Sequence, residues 1–214
     1  MNLRVLGILL LGVLCVGCQS SWGRRPASTY EPGPNDPRRN TEAARKHQEQ
    51  GMVLLGAGNL EEAEKEFKAA LEADLFFGPA HNNLGTVYYR RQRFYEAAWE
   101  FQYAAKLMPQ KAEPRNNLGL VLESAGKLDE AASWYEKALA LEPDTVEAAA
   151  NLARALVRAN HKDDRTRQLL NDVIMKDTRP EWVEWARGRL ASMNRPETPE
   201  TISVPLEGKG KNGK

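Results

Sequence analysis

From about residue 44 onward, apolar and small residues fall at helical spacing, in paired runs separated by short polar turns. Glycines at 51, 85 and 119 recur every 34 residues, with Ala153 in the fourth place. Other columns keep the same register: Ala63, Ala97 and Ala131; Phe67, Phe101, Tyr135 and Leu169; Ala70, Ala104 and Ala138; and the prolines Pro109 and Pro143. Each period holds two amphipathic runs broken at a turn, as at Ala57-Gly58-Asn59 and Ala125-Gly126-Lys127. The pattern predicts two antiparallel helices per repeat, with units at 44–77, 78–111, 112–145 and a degenerate 146–179. A single repeat leaves an apolar face bare, so stability has to come from stacking. The small columns allow the two helices of a repeat to approach closely, and the aromatic column is expected to fill the gap to the next repeat.

Departures from the pattern mark the ends of the array. Leu75 replaces the closing proline of the first repeat. In the fourth, Arg165 stands where a close-packed alanine belongs, so that repeat is expected to pack more loosely. Thr178 and Glu181 read as a capping box for a last helix over 180–193. Its Trp182, Trp185, Ala186 and Met193 share one face and would cover the fourth repeat.

In Asn82-Asn83-Leu84-Gly85-Thr86-Val87-Tyr88-Tyr89, and in Asn116-Asn117-Leu118-Gly119 followed by Asp129-Glu130-Ala131, the units resemble the tetratricopeptide repeat. The resemblance covers Ala44 to Arg179. It implies an all-α fold, a right-handed α-solenoid of about four helix-turn-helix repeats with a C-terminal capping helix. It also implies a concave surface lined by the first helix of each repeat, where a peptide usually lies.

The two ends read differently. Met1 to Gly17 carries Arg4 and an apolar stretch from Val5 to Val16, about a dozen residues, short of the roughly 20 that span a bilayer. Cys15-Val16-Gly17-Cys18 resembles a bacterial lipobox, which implies cleavage before Cys18 and lipidation of that cysteine. Gln19 follows in place of the Asp that marks inner-membrane retention, so the resemblance points to the outer membrane, facing the periplasm. Residues 18–43 are rich in proline and arginine and read as a disordered tether, and 194–214 as a disordered tail. All aromatics but Trp22 and Tyr30 lie between Ala44 and Met193.

Composition narrows the function. With 30 Lys+Arg against 29 Asp+Glu the chain lacks the basic footprint of a nucleic-acid binder. A mean hydropathy of −0.59 excludes a polytopic membrane protein. Both cysteines lie within the first 18 residues, so neither a disulfide scaffold nor a thiolate metal site is available to the repeats. Formal charge by repeat is −3, +3, −4 and +2, an alternation that would favour the stacking register.

Two surfaces carry candidate chemistry. Asn83, Asn117 and Asn151 occupy one first-helix position in three successive repeats, similar to the asparagine ladder of O-linked N-acetylglucosamine transferases. A carboxamide donates and accepts, so such a ladder can pair with a peptide backbone; the alternative is asparagines that are solvated or bonded locally. Asn82, Thr86, Tyr89, Arg90, Asn116, Leu120, Arg154 and Arg158 are expected along the same groove, suiting a polar or acidic segment with a few apolar anchors. The carboxylate clamp of chaperone-type domains is missing, because Gln48, Glu113 and Asn117 stand where it needs basic residues. On the second helix of repeat 2, Tyr95, Trp99 and Tyr103 form an i, i+4, i+8 stripe, a candidate convex interface for a partner or a homodimer.

No catalytic motif stands out. His47 and His81 share one repeat position and read as packing residues, while His161 with Asp163 and Asp164 reads as a helix start. The chain has no His-Glu-x-x-His, no Gly-x-Ser-x-Gly and no phosphate-cradling glycine loop, so neither a metal nor a cofactor is expected. The favoured reading is a non-catalytic, lipid-anchored adaptor of the bacterial cell envelope that binds a protein or peptide segment. It resembles small repeat lipoproteins that assist pilus or secretin assembly. A cell-wall enzyme or its regulator, and a self-assembling structural lipoprotein, are the other classes.

Overall fold

The computed structural model describes residues 39–194. The expected leader, Cys18, most of the tether, and the tail beyond residue 194 lie outside the described residues. Those residues form α1 (Thr41–Gly56), α2 (Leu60–Ala73), α3 (Gly78–Arg90), α4 (Phe94–Leu107), α5 (Glu113–Ser124), α6 (Leu128–Leu141), α7 (Val146–Arg158), α8 (Asp164–Lys176) and α9 (Pro180–Met193). Consecutive helices pair as hairpins, and α9 packs on α8. The first helices α1, α3, α5 and α7 also touch along the stack and build one continuous wall. The result is an all-α solenoid of helix-turn-helix repeats closed by a capping helix.

The 34-residue period has a direct physical meaning at two places. Helices α1, α3, α5 and α7 each end on a left-handed residue, at Gly58, Gln92, Gly126 and Asn160, with φ between 59° and 81°. The following N–H reaches back five residues, as from Asn59 to Leu54 and from Arg93 to Tyr88, closing a Schellman turn that reverses the chain. The second place is the glycine column. A Cβ on Gly51, Gly85 or Gly119 would lie within 2.8 Å of the ring of Phe67, Phe101 or Tyr135. The aromatic column therefore seats first on the glycine of its own repeat, and only glycine leaves room for it. Phe67 and Phe101 then share a core with Leu84, Val87, Leu118 and Val121, which carries burial from one repeat into the next. Each such ring contributes roughly 2–3 kcal/mol by leaving water.

Three expectations need correction. The tether does not extend to residue 43, since Thr41 to Ala43 are helical. Asn40 accepts the Ala43 N–H at 3.0 Å, while Arg39 and the Thr41 hydroxyl donate to the fully buried Asp74. The capping box does not form at α9, whose N-cap Arg179 has no side-chain capping bond. Pro180 opens the helix, and Asp177 fixes the approach by accepting from the backbone N–H and guanidinium of Arg179.

The fourth repeat is not loosely packed. Its turn is longer, and α8 starts at Asp164 behind the cap Asp163, which accepts from the Thr166 N–H at 2.7 Å. The added length slips the helix by one residue. Thr166, Leu170 and Val173 are buried where the 34-residue register would place Arg165, Leu169 and Asp172. Arg165 is turned outward to Glu136 at 2.8 Å.

Charge alternation appears as ion pairs between neighbouring repeats. Arg91 and Arg93 of the second repeat reach Glu64 of the first. Arg154, Arg158 and Arg165 of the fourth reach Glu123 and Glu136 of the third.

Candidate functional site

The wall formed by α1, α3, α5 and α7 gathers the expected groove residues. Asn82, Asn116 and Asn151 are buried; Asn83, Thr86, Tyr89, Asn117, Leu120 and Arg154 are half-buried; Arg90 and Arg158 are exposed. The asparagines bond one another across repeats. Asn117 Nδ2 donates to Asn82 Oδ1 at 3.1 Å, Asn151 Nδ2 donates to Asn116 Oδ1 at 3.0 Å, and Asn82 Nδ2 donates to Glu113 Oε1 at 2.8 Å. Two neighbouring columns, one residue apart, thus supply each rung. Sequence spacing alone points to a single column and misses the pairing.

The equivalent rung between the first two repeats would join Asn83 to Gln48, and it is not made. Gln48 Oε1 is buried without a hydrogen-bond partner, and Asn83 has none among the described residues. The ladder is therefore closed through repeats 2 to 4 and open at its N-terminal end. Other wall groups are also engaged: the Tyr89 hydroxyl with Ser124 Oγ at 3.1 Å, Arg90 with the Leu55 carbonyl, and Thr86 with the Asn82 carbonyl.

Glu123, absent from the sequence candidates, organises the C-terminal half of the wall. Only 3% exposed, it accepts from Tyr135 Oη at 2.8 Å, from Arg154 Nε and Nη2 at 2.7 Å, and from Arg158 Nη1 at 2.7 Å. Burial pulls its carboxyl upward, but the hydrogen bonds and charge of Arg154, with those of Arg158 and Tyr135, outweigh it and hold the group below its usual range. Burial, then the Glu123 charge, push the Tyr135 phenol up. The signal was present in the sequence: Tyr135 alone among its column carries a hydroxyl that a core position must satisfy. One carboxylate faces two guanidiniums, so the cluster keeps a surplus positive charge, and half of the Arg158 side chain is exposed.

Next to this cluster, Arg154, Glu181, Trp182 and Trp185 line an open depression of about 210 Å³. The Trp182 and Trp185 rings meet edge to face at 5.7 Å, and Arg154 and Arg179 stack on Trp182 at 4.9 and 4.8 Å. The capping helix therefore does more than cover the fourth repeat, because both indoles remain half-exposed on the wall side of the stack.

On the opposite face the expected aromatic stripe divides. Tyr95 and Trp99 are 80% and 62% exposed. Tyr103 is half-buried and stands edge-on to the His81 ring at 4.6 Å. His81 itself bonds Glu100 at 2.6 Å and the Leu75 carbonyl at 2.9 Å, and His47 pairs with the equivalent Glu66 at 2.7 Å. Among the described residues no group of three or more His, Cys, Asp or Glu side chains could hold a metal ion.

A stack of helical hairpins presenting a continuous polar wall defines a scaffold for protein–protein interaction. Residues 49–114 and 112–145 each match a family model described as tetratricopeptide repeat, so the stretch 49–145 is built of such repeats. Among solved structures it is similar to Pseudomonas aeruginosa pilF, with 24% identity, a TM-score of 0.60 and 74% of each chain covered. It is also similar to MamA, with 22% identity and a TM-score of 0.58 over 63% of this chain and 78% of that one. A third is the first tetratricopeptide-repeat domain of Spaghetti (RPAP3) bound to the HSP90 peptide SRMEEVD. There the identity is 23% and the TM-score 0.56, covering 58% of this chain and 98% of that one. No curated protein matches the sequence as a relative.

Proposed function

We propose that the protein is a lipid-anchored, non-catalytic adaptor of the bacterial cell envelope whose concave wall holds an extended, acidic segment of another protein. The observation that carries the reading is the wall itself. It presents a ladder open at Gln48 and Asn83, a surplus positive charge at Arg154 and Arg158, and two half-exposed indoles beside Arg154. Such a surface pairs with backbone amides at one end and with carboxylates and apolar side chains at the other. Likeness in fold to a repeat domain seen with the peptide SRMEEVD supports a peptide as ligand class. The resemblance of the sequence to small repeat lipoproteins supports assistance to pilus or secretin assembly.

The anchor rests on Cys15-Val16-Gly17-Cys18, and no helix among the described residues is long and apolar enough to cross a membrane. Placing a photoreactive residue at Leu120 in the anchored protein and irradiating intact envelopes tests the groove, with cross-linked peptides read by mass spectrometry. Capture of a defined acidic segment is expected, and adducts restricted to glycan would reverse the reading. The exposed Tyr95 and Trp99 support a second, convex contact, with a partner or with another copy of the chain.

A further inference from the structure

Beyond α9 the sequence runs Glu197-Thr198-Pro199-Glu200-Thr201-Ile202-Ser203-Val204-Pro205-Leu206-Glu207. Ile202, Val204 and Leu206 alternate with Ser203 and Pro205, so an extended backbone would turn all three to one side. Pro199 and Pro205 oppose a helix here, and they bias Thr198 and Val204 toward extended conformations. The stretch contains three glutamates and no basic residue. In composition it is an acidic stretch with spaced aliphatic residues, the ligand chemistry assigned above to the wall.

We propose that residues 197–207 of the same chain occupy the C-terminal half of the concave wall, with an aliphatic side chain on Trp182 and Trp185 and a glutamate on Arg158. The inference rests on the reading of that wall as a peptide groove. Reach allows it. From Asn194 back to Trp185 is nine residues of helix, about 14 Å, and to Trp182 about 18 Å. The eight residues from Asn194 to Ile202 extend to about 27 Å, enough to reverse and run back along α9. The depression of about 210 Å³ suits one branched aliphatic side chain. Glu181 on its rim disfavours a glutamate in the depression itself, while Arg158, one turn along α7 from Arg154 and sharing Glu123 with it, gives only Nη1 to that carboxylate.

A link this short holds the segment at an effective concentration on the order of 1 mM. An intrinsic dissociation constant near 0.1 mM then fills the groove about nine-tenths of the time and weakens any competing peptide about tenfold. The tail acts as a built-in competitor that an incoming partner must displace.

The test uses a fluorescent peptide of sequence 197–207, with anisotropy measured on the full chain and on the full-chain variant Ile202→Ser/Val204→Ser/Leu206→Ser. The variant is expected to bind the peptide about tenfold more tightly, and adding Arg158→Glu is expected to abolish that gain. Equal binding to both chains would overturn the proposal while leaving the groove reading intact. Absence of binding to either overturns it as well, and the envelope cross-linking then judges the groove separately. As a second measurement, p-benzoylphenylalanine in place of Leu206 should give intramolecular adducts on α7 or α9. Adducts only between chains, or only on α4, would refute occupation in cis.

Discussion

Replacing Glu123 with leucine should unfasten the C-terminal half of the stack. Tyr135 is fully buried, so losing its Glu123 acceptor costs about 1–3 kcal/mol. Arg154, with 27% of its side chain exposed, loses two charge-assisted bonds, about 1.5–3 kcal/mol. Arg158 recovers water readily, and its share is about 0–1 kcal/mol. The total is about 4 kcal/mol, within the range seen when one partner of a buried ion pair is removed. At about 3 °C per kcal/mol for a folded region of this size, Tm should fall by about 10 °C. Because each repeat touches only its neighbours, hydrogen exchange should rise in α7, α8 and α9 while α1 to α4 keep their protection. Tyr135→Phe should cost about 1 kcal/mol in the wild-type chain and close to nothing in the Glu123→Leu background. A loss under about 1 kcal/mol, or a uniform rise in exchange along the stack, would refute the claim that one carboxylate ties the third repeat to the fourth.

Three further outcomes follow from the same geometry. The Glu123 carboxyl is held below its ordinary value of 4.5, so its contribution is complete above about pH 5 and is lost as pH falls through the lowered folded value. Melts between pH 6 and 3 should therefore show a slope that Glu123→Gln flattens. Gly119→Ala brings a Cβ to 2.5 Å from a Tyr135 ring that is tied by its hydroxyl, so it should destabilise by about 1–3 kcal/mol in urea titrations. Gly56→Ala meets nothing within 4 Å and should be neutral or stabilising by up to about 1 kcal/mol. Trp99→Ser should leave Tm unchanged and abolish any self-association seen by analytical ultracentrifugation. Tyr103→Ser should lower stability by about 1 kcal/mol through its lost His81 contact, and equal effects of the two changes would contradict the divided stripe.

The sequence by itself determined the repeat. Spacing of 34 between Gly51, Gly85 and Gly119, matched by Phe67, Phe101 and Tyr135, is legible because each aromatic needs the missing Cβ of the glycine it meets. Hairpin turns at Gly58 and Gly126 were equally legible, since a left-handed residue must end each first helix. Tertiary structure decided what the period could not. The one-residue slip that buries Thr166 and Leu170 is invisible to a fixed register, because turn length sets which helix face meets the core.

The asparagine ladder, its open rung at Gln48 and the Glu123 cluster depend on side chains from neighbouring repeats, 31 to 35 residues apart, whose pairing only stacking reveals. The two indoles of α9 illustrate the same limit. Sequence placed Trp182 and Trp185 on the packed face, and only the stacking of Arg154 on Trp182 shows that this face also opens beside the wall.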